Sequence, residues 1–99
     1  MIVVAGHVDV AEQDRRAYLD SKAPQAAHTL TETGCLEYAF SADDVHAGRV
    51  RLFELWESMA DLRAHLATLR AAAPDPSPVA VLASEFRVFE ATPTQFPSA

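Results

Sequence analysis

The chain has one cysteine in 99 residues. An internal disulfide is therefore impossible, and so is a four-cysteine zinc site. Positive charge is scarce as well. Eight Lys and Arg stand against 14 Asp and Glu, a formal net charge of −6. With no basic run to offset that balance, a polyanion would be repelled, which excludes nucleic acid and anionic lipid as natural partners. Only three glycines occur and none forms a phosphate-cradling loop, so no nucleotide cofactor is expected. No apolar run approaches a membrane span, and Met1 to Gly6 carry no basic leader region. A soluble, cytoplasmic protein is the expectation.

What is present fits one globular domain spanning 1–99. Hydrophobic residues make up 49% and charged residues 22%, proportions that fold rather than stay disordered. A domain this small buries only about two-thirds of its unfolded-chain surface. Pairing with a second copy is a common remedy.

The pattern predicts six elements. Residues 2–10 are β-forming and apolar on both faces, a strand expected to be covered on both sides. Residues 11–33 read as a helix, with Leu19, Ala23, Ala26 and Leu30 on one face. Pro24 should kink or split it, and Gly34 should end it. Residues 35–41 read as a strand with Leu36, Tyr38 and Phe40 on one face. A polar loop over 42–48 leads to a strand over 49–57, where Val50, Leu52, Glu54 and Trp56 share a face. Ser58 to Asp61 match the Ser-x-x-acid start of a helix. Leu62, Leu66, Leu69 and Ala73 then repeat at helical spacing up to the proline-rich linker 74–78. A last strand lies within 79–91, and an irregular tail runs from about Thr92. The order strand, helix, strand, strand, helix, strand is the α+β, ferredoxin-like βαββαβ plan. Its antiparallel sheet has four strands, with two helices on one face. Apolar residues on both faces of the strands predict a homodimer, packed into a dimeric α+β barrel.

Metal-ligand spacing is absent. Asp43, Asp44 and His46 read as a solvated loop, and Cys35 with Glu37 as a packed thiol beside a surface acid. No metal is expected. His65 is the more informative residue, on the flank of the second helix's apolar face. His7 on the first strand, with Glu54 and Trp56 on the third, could join it in one pocket between sheet and helices. Imidazole suits proton transfer near neutral pH, and an aromatic wall suits a small ligand. Glu54 in an apolar strand needs a partner, either a pocket histidine or an arginine such as Arg87. Tyr38, Phe40, Leu52, Leu62 and Leu69, together with Glu54, are the residues expected to bind the substrate.

The stretch Glu54-x-Trp56-Glu57-Ser58-x-Ala60-x-Leu62-x-Ala64-His65-Leu66-x-Thr68 resembles the signature of the antibiotic biosynthesis monooxygenase (ABM) domain family. Glu32-Thr33-Gly34-Cys35-Leu36-Glu37-Tyr38 resembles its second motif. The nearest branch is that of the small quinol monooxygenases. Leu52 and Leu62 stand where the anthrone-oxidising branch has Asn and Tyr, and no histidine follows residue 65 where the haem-degrading branch needs an axial ligand. The resemblance implies a dimeric ferredoxin-like fold. It also implies oxygenation of a small electron-rich aromatic, a hydroquinone for example, by O₂ with no cofactor. In that chemistry His65 or His7 would be the base and Trp56 the wall. An isomerase or a non-catalytic metabolite-binding dimer could use the same pocket.

Overall fold

A computed structural model describes residues 1–76 and 78–98. Its elements are β1 (Ile2–Val10), a 3₁₀ turn (Glu12–Asp14), α1 (Arg15–Thr29), β2 (Cys35–Ala42), β3 (Arg49–Trp56), α2 (Met59–Ala71) and β4 (Val81–Glu90). The strands form one antiparallel sheet in the order β2-β3-β1-β4. This is the expected ferredoxin-like α+β arrangement. Among the described residues, no helix is long and apolar enough to cross a membrane.

Strand alternation decides what lies beneath the helices. Ile2, Val4, Val8 and Val10 of β1 are buried on that side, with Val50, Glu54 and Trp56 of β3 and Tyr38 of β2. Fully burying a Val or Leu side chain contributes about 1.5–3 kcal/mol. A one-residue slip of register would exchange this whole set for Val3, Ala5, Arg51 and Phe53, so the register is firmly specified. The core has two clusters. One gathers Ile2, Val4, Tyr38, Trp56 and Leu62, the other Val8, Val10, Tyr18 and Val50, and Phe40 packs against both.

Among the described residues, no helix covers the opposite face of the sheet. β1 is thus covered on one side, not two, in the single chain. On this face Phe53 is 40% exposed and Phe89 47%.

Several local expectations change. α1 begins later and ends earlier than 11–33, because a 3₁₀ turn occupies its start and the Thr-rich stretch Thr29-Leu30-Thr31 favours turns. Pro24 sits inside α1 without splitting it. The buried positions of α1 are Tyr18 and Thr29, whereas Leu30 is 49% exposed. Leu36 leaves the Tyr38–Phe40 face because β2 is irregular between Cys35 and Glu37, and Cys35 packs inward instead. α2 stops at Ala71, so Ala73 falls outside it. The tail has no regular structure from residue 91 to 98. Ser77 of the expected linker and Ala99 of the expected tail lie outside the described residues.

Gly34 is positioned by necessity. Its φ is +79°, and a side chain there would run into the Asp61 carboxylate. Its carbonyl accepts from Glu57 N–H at 2.8 Å, which ties the turn before β2 to the start of α2.

Candidate functional site

The site is built around the β3–α2 junction. Glu54 and Trp56 are two residues apart on β3 and share its buried face. The Trp56 indole Nε1–H donates to Glu54 Oε1 at 2.9 Å. Neither histidine nor Arg87 makes this bond. Arg87 lies on the other face and pairs with Glu85 at 2.9 Å. Burial pushes the Glu54 carboxyl above its ordinary value, the Trp56 bond and the nearby His65 ring work against that, and Glu32 adds to it.

α2 starts from a capped end. Ser58 Oγ accepts from Asp61 N–H at 3.2 Å and donates to Asp61 Oδ2 at 2.9 Å. The helix then carries His65, 1% exposed, to the sheet. The imidazole lies against Trp56, with ring centroids 4.9 Å apart and planes inclined at 35°. Tyr38 meets it edge-on at 5.3 Å. His65 Nδ1 stands 3.1 and 3.0 Å from the two carboxylate oxygens of Glu32. A carboxylate accepts, so the neutral ring carries its proton on Nδ1 and leaves Nε2 as an acceptor. Glu32 is brought there by the turn after α1, in which Glu32 N–H donates to Thr29 O at 3.0 Å.

Beside His65 a cavity of about 340 Å³ opens between sheet and helices. That is within the size range of small-ligand pockets. Aromatic side chains of Tyr38, Phe40 and Phe86 form much of its lining, with Leu52, Leu62 and Leu69. Its polar groups are few: Glu54, His65, Gln25 and Lys22, with the Tyr18 and Tyr38 phenols. The Tyr38 hydroxyl accepts from Gln25 Nε2–H at 2.9 Å. Burial, helped by Glu54, pushes the Tyr38 phenol up to about 12, so it stays protonated at neutral pH.

The structure therefore brings together seven of the nine residues singled out from the sequence. Glu54, His65, Tyr38, Phe40, Leu52, Leu62 and Leu69 all line this cavity. Trp56 does not. It is fully buried behind His65 and Glu54, so it supports the site and is not its wall. His7 does not either. It lies on the helix-free face with Ala5, Arg51, Glu85 and Phe89, 3.9 Å from Asp9. The odd-numbered positions of β1 point there, so His7 cannot share a pocket with Val4 and Glu54. The alternation that sets His7 opposite Val4, Gly6 and Val8 thus also sets it apart from His65.

Sequence reasoning missed Phe86, Gln25, Lys22 and Glu32. Gly6 opposes Phe86 across β1 and β4, and a side chain at Gly6 would collide with that ring. Tyr18, Lys22 and Gln25 recur at helical spacing on α1, a signal that counting only apolar residues passes over. Cys35 behaves as expected of a packed thiol: burial, with Glu32 and Glu54 nearby, raises it, and its Sγ–H donates to Glu37 O at 3.7 Å. Asp43 organises its loop, accepting from Val45 and His46 N–H at 3.0 and 2.8 Å and from Arg51 at 2.8 Å.

Known structures share this fold. A Deinococcus radiodurans protein proposed to be an antibiotic biosynthesis monooxygenase superposes with a TM-score of 0.81 at 19% identity, covering 100% of both chains. The haem-degrader MhuD of Mycobacterium tuberculosis, solved with two haems in its active site, gives 0.74 at 18% identity, over 92% of this chain and 95% of that one. A Nitrosomonas europaea protein, also proposed to be an antibiotic biosynthesis monooxygenase, gives 0.69 at 14% identity, over 92% and 98%. At these identities the likeness is one of fold. No curated protein matches the chain. The model of the antibiotic biosynthesis monooxygenase family matches residues 1–74, and the chain belongs to that family.

Proposed function

We propose that this protein is a monooxygenase that oxidises a small electron-rich aromatic of the hydroquinone type with O₂, using no cofactor. One observation carries the reading. His65 is held on one side by a carboxylate, which leaves Nε2 as the basic nitrogen of a residue lining an aromatic cavity. Ground-state O₂ is a triplet and reacts slowly with closed-shell molecules. A phenolate can give it one electron and so avoid the spin barrier. The enzyme must then make the anion, hold a flat ring and keep water away. Nε2 takes the phenolic proton. Tyr38, Phe40 and Phe86 supply aromatic surface for the ring, and Leu52, Leu62 and Leu69 keep the cavity apolar. Tyr38 keeps its own proton and can donate a hydrogen bond to a ligand oxygen.

The reaction balances without an outside reductant. One oxygen atom forms a new C–O bond on the ring and the other leaves as water. A hydroquinone that becomes a hydroxyquinone supplies the four electrons this requires.

The reading includes a homodimer joined through the helix-free face. The exposed Phe53 and Phe89 support it, because a monomer would leave that apolar surface in water. Light scattering at micromolar concentration should give twice the chain mass, and a monomeric mass would refute the pairing.

The test of function is oxygen-electrode turnover of metal-chelated protein on hydroquinones, naphthoquinols and anthrones, each compared with its own autoxidation. Saturable uptake that chelation does not change is expected with a quinol. Absence of uptake above background, or turnover that persists without O₂, would overturn the proposal.

A further inference from the structure

His65 belongs to two hollows. One is the cavity already described. The other opens on the protein surface, about 310 Å³ in volume, and is lined by His65, Glu32, Thr68, Thr31, Asp61 and His28. Glu32 lies in this outer hollow alone, and its side chain is 18% exposed where that of His65 is 1% exposed. The imidazole thus stands between an apolar hollow and a polar one. The carboxylate lies on the polar side.

An imidazolium kept beside the phenolate could return the proton before O₂ reacts. Moving that charge away from the cavity protects the anion. From the geometry we infer that Glu32 and His65 form a relay that carries the substrate's proton through the ring to the outer hollow. The inference rests on the proposed role of His65 as base. Nε2 accepts the proton from the substrate O–H. Nδ1 gives its own proton to Glu32, whose oxygens lie at 3.0 and 3.1 Å. The glutamic acid then releases it to water in the outer hollow. When the second oxygen departs as water the relay runs back, Nε2 giving its proton to that oxygen and Glu32 returning one from the outer hollow to Nδ1, so imidazole and carboxylate regain their starting forms and no net proton is released.

The surroundings favour this direction. Trp56 and Tyr38 pack on the ring and hold its orientation. Glu54 also faces His65, from β3, but its carboxylate accepts from the Trp56 indole and lines the inner cavity, not the outer hollow. Asp61 shares the outer hollow and is bound by Ser58. Thr68 and Thr31 spend their hydroxyl protons on the carbonyls of Ala64 and His28, at 3.1 and 2.6 Å. Glu32 is therefore the acceptor that touches Nδ1.

The role is one of proton transfer through His65, so the test must separate it from simple bracing of the ring. Glu32→Gln keeps an oxygen to accept from Nδ1–H and so keeps the brace, but it cannot take the proton. Nitrogen NMR of His65, at a pH where the ring is neutral, needs no substrate. It should show the proton on Nδ1 in both wild type and Glu32→Gln. A proton on Nε2 in the wild type would overturn the relay. With a quinol that the wild type oxidises, Glu32→Gln should lose at least tenfold in kcat with KM little changed, and Glu32→Asp should recover part of it. Glu32→Ala opens the outer hollow, so added formate should raise its rate in proportion to concentration, while Glu32→Gln should not respond. Wild-type kcat in Glu32→Gln would overturn the relay. Unchanged turnover in His65→Ala would instead defeat the proposed base, which keeps the two failures distinct.

Discussion

Replacing Trp56 by Phe should cost far more than the few atoms it removes, because it breaks the bond that makes Glu54 tolerable in the core. A hydrogen bond to a charged, buried group contributes about 1.5–3 kcal/mol. The smaller ring leaves a void worth roughly another 1 kcal/mol. Trp56→Phe should therefore lose about 3 kcal/mol, a large share of the roughly 5–15 kcal/mol that holds a domain together. For a chain of this length that is a fall in Tm of about 12 °C or more. Glu54→Leu removes the buried carboxylate but leaves the indole N–H without a partner, at about 1–3 kcal/mol. The double variant leaves neither group stranded. It should be more stable than the sum of the single changes allows, by about 2 kcal/mol. Urea titration of all four proteins at one protein concentration measures this, the concentration being held fixed because pairing shifts apparent stability. pH supplies a second signature. Glu54 titrates higher folded than unfolded, so its charged form opposes folding. Stability attributable to it falls as pH rises from its ordinary 4.5 through the raised value. The Trp56 bond restrains that rise, so the deficit of Trp56→Phe should be greatest at neutral pH and shrink on acidification. Additive single effects, or a deficit that grows on acidification, would refute the reasoning.

Two further outcomes follow from the fold. Gly34→Ala forces a left-handed residue to carry a Cβ against the Asp61 carboxylate. It should cost more than about 1 kcal/mol by thermal melting, and Asp61→Ala should relieve part of that loss. Backbone N–H groups of His46 and Val45, with the Arg51 guanidinium, hold the Asp43 carboxyl well below its ordinary 3.8. A depressed carboxyl adds stability above its unfolded value, which is lost as pH falls. Asp43→Asn should therefore lower Tm at neutral pH and flatten its fall below about pH 4, measured by circular dichroism.

Where a single physical signal dominates, the sequence was enough. Alternation on β3 placed Val50, Leu52, Glu54 and Trp56 on one face, and the Ser58–Asp61 cap placed the start of α2. With both ends of that junction set, His65 had to meet the sheet. Other features depend on long-range geometry. Nothing local says that the inner neighbour of Glu54 is Trp56, two residues along the strand, until both are known to be sealed off from water. On α1 the expected Leu19 and Ala26 pack against the core, but the cavity side carries Tyr18, Lys22 and Gln25, polar groups that a cavity requires and a core does not. Glu32 was quoted only as part of a motif, since its pairing with His65 joins residues 33 apart in the chain. His7 was drawn toward the pocket by its chemistry alone, although strand alternation had already sent it to the other face.

The two histidines thus offer the most direct measurement. The proposed reacting cavity lies on the helix side of the sheet, with His65 in its lining and His7 on the other face. O₂ uptake with one quinol substrate should fall by two orders of magnitude or more in His65→Gln, while His7→Gln keeps its kcat. The reverse ranking, or equal rates in both variants, would contradict the placement of the site.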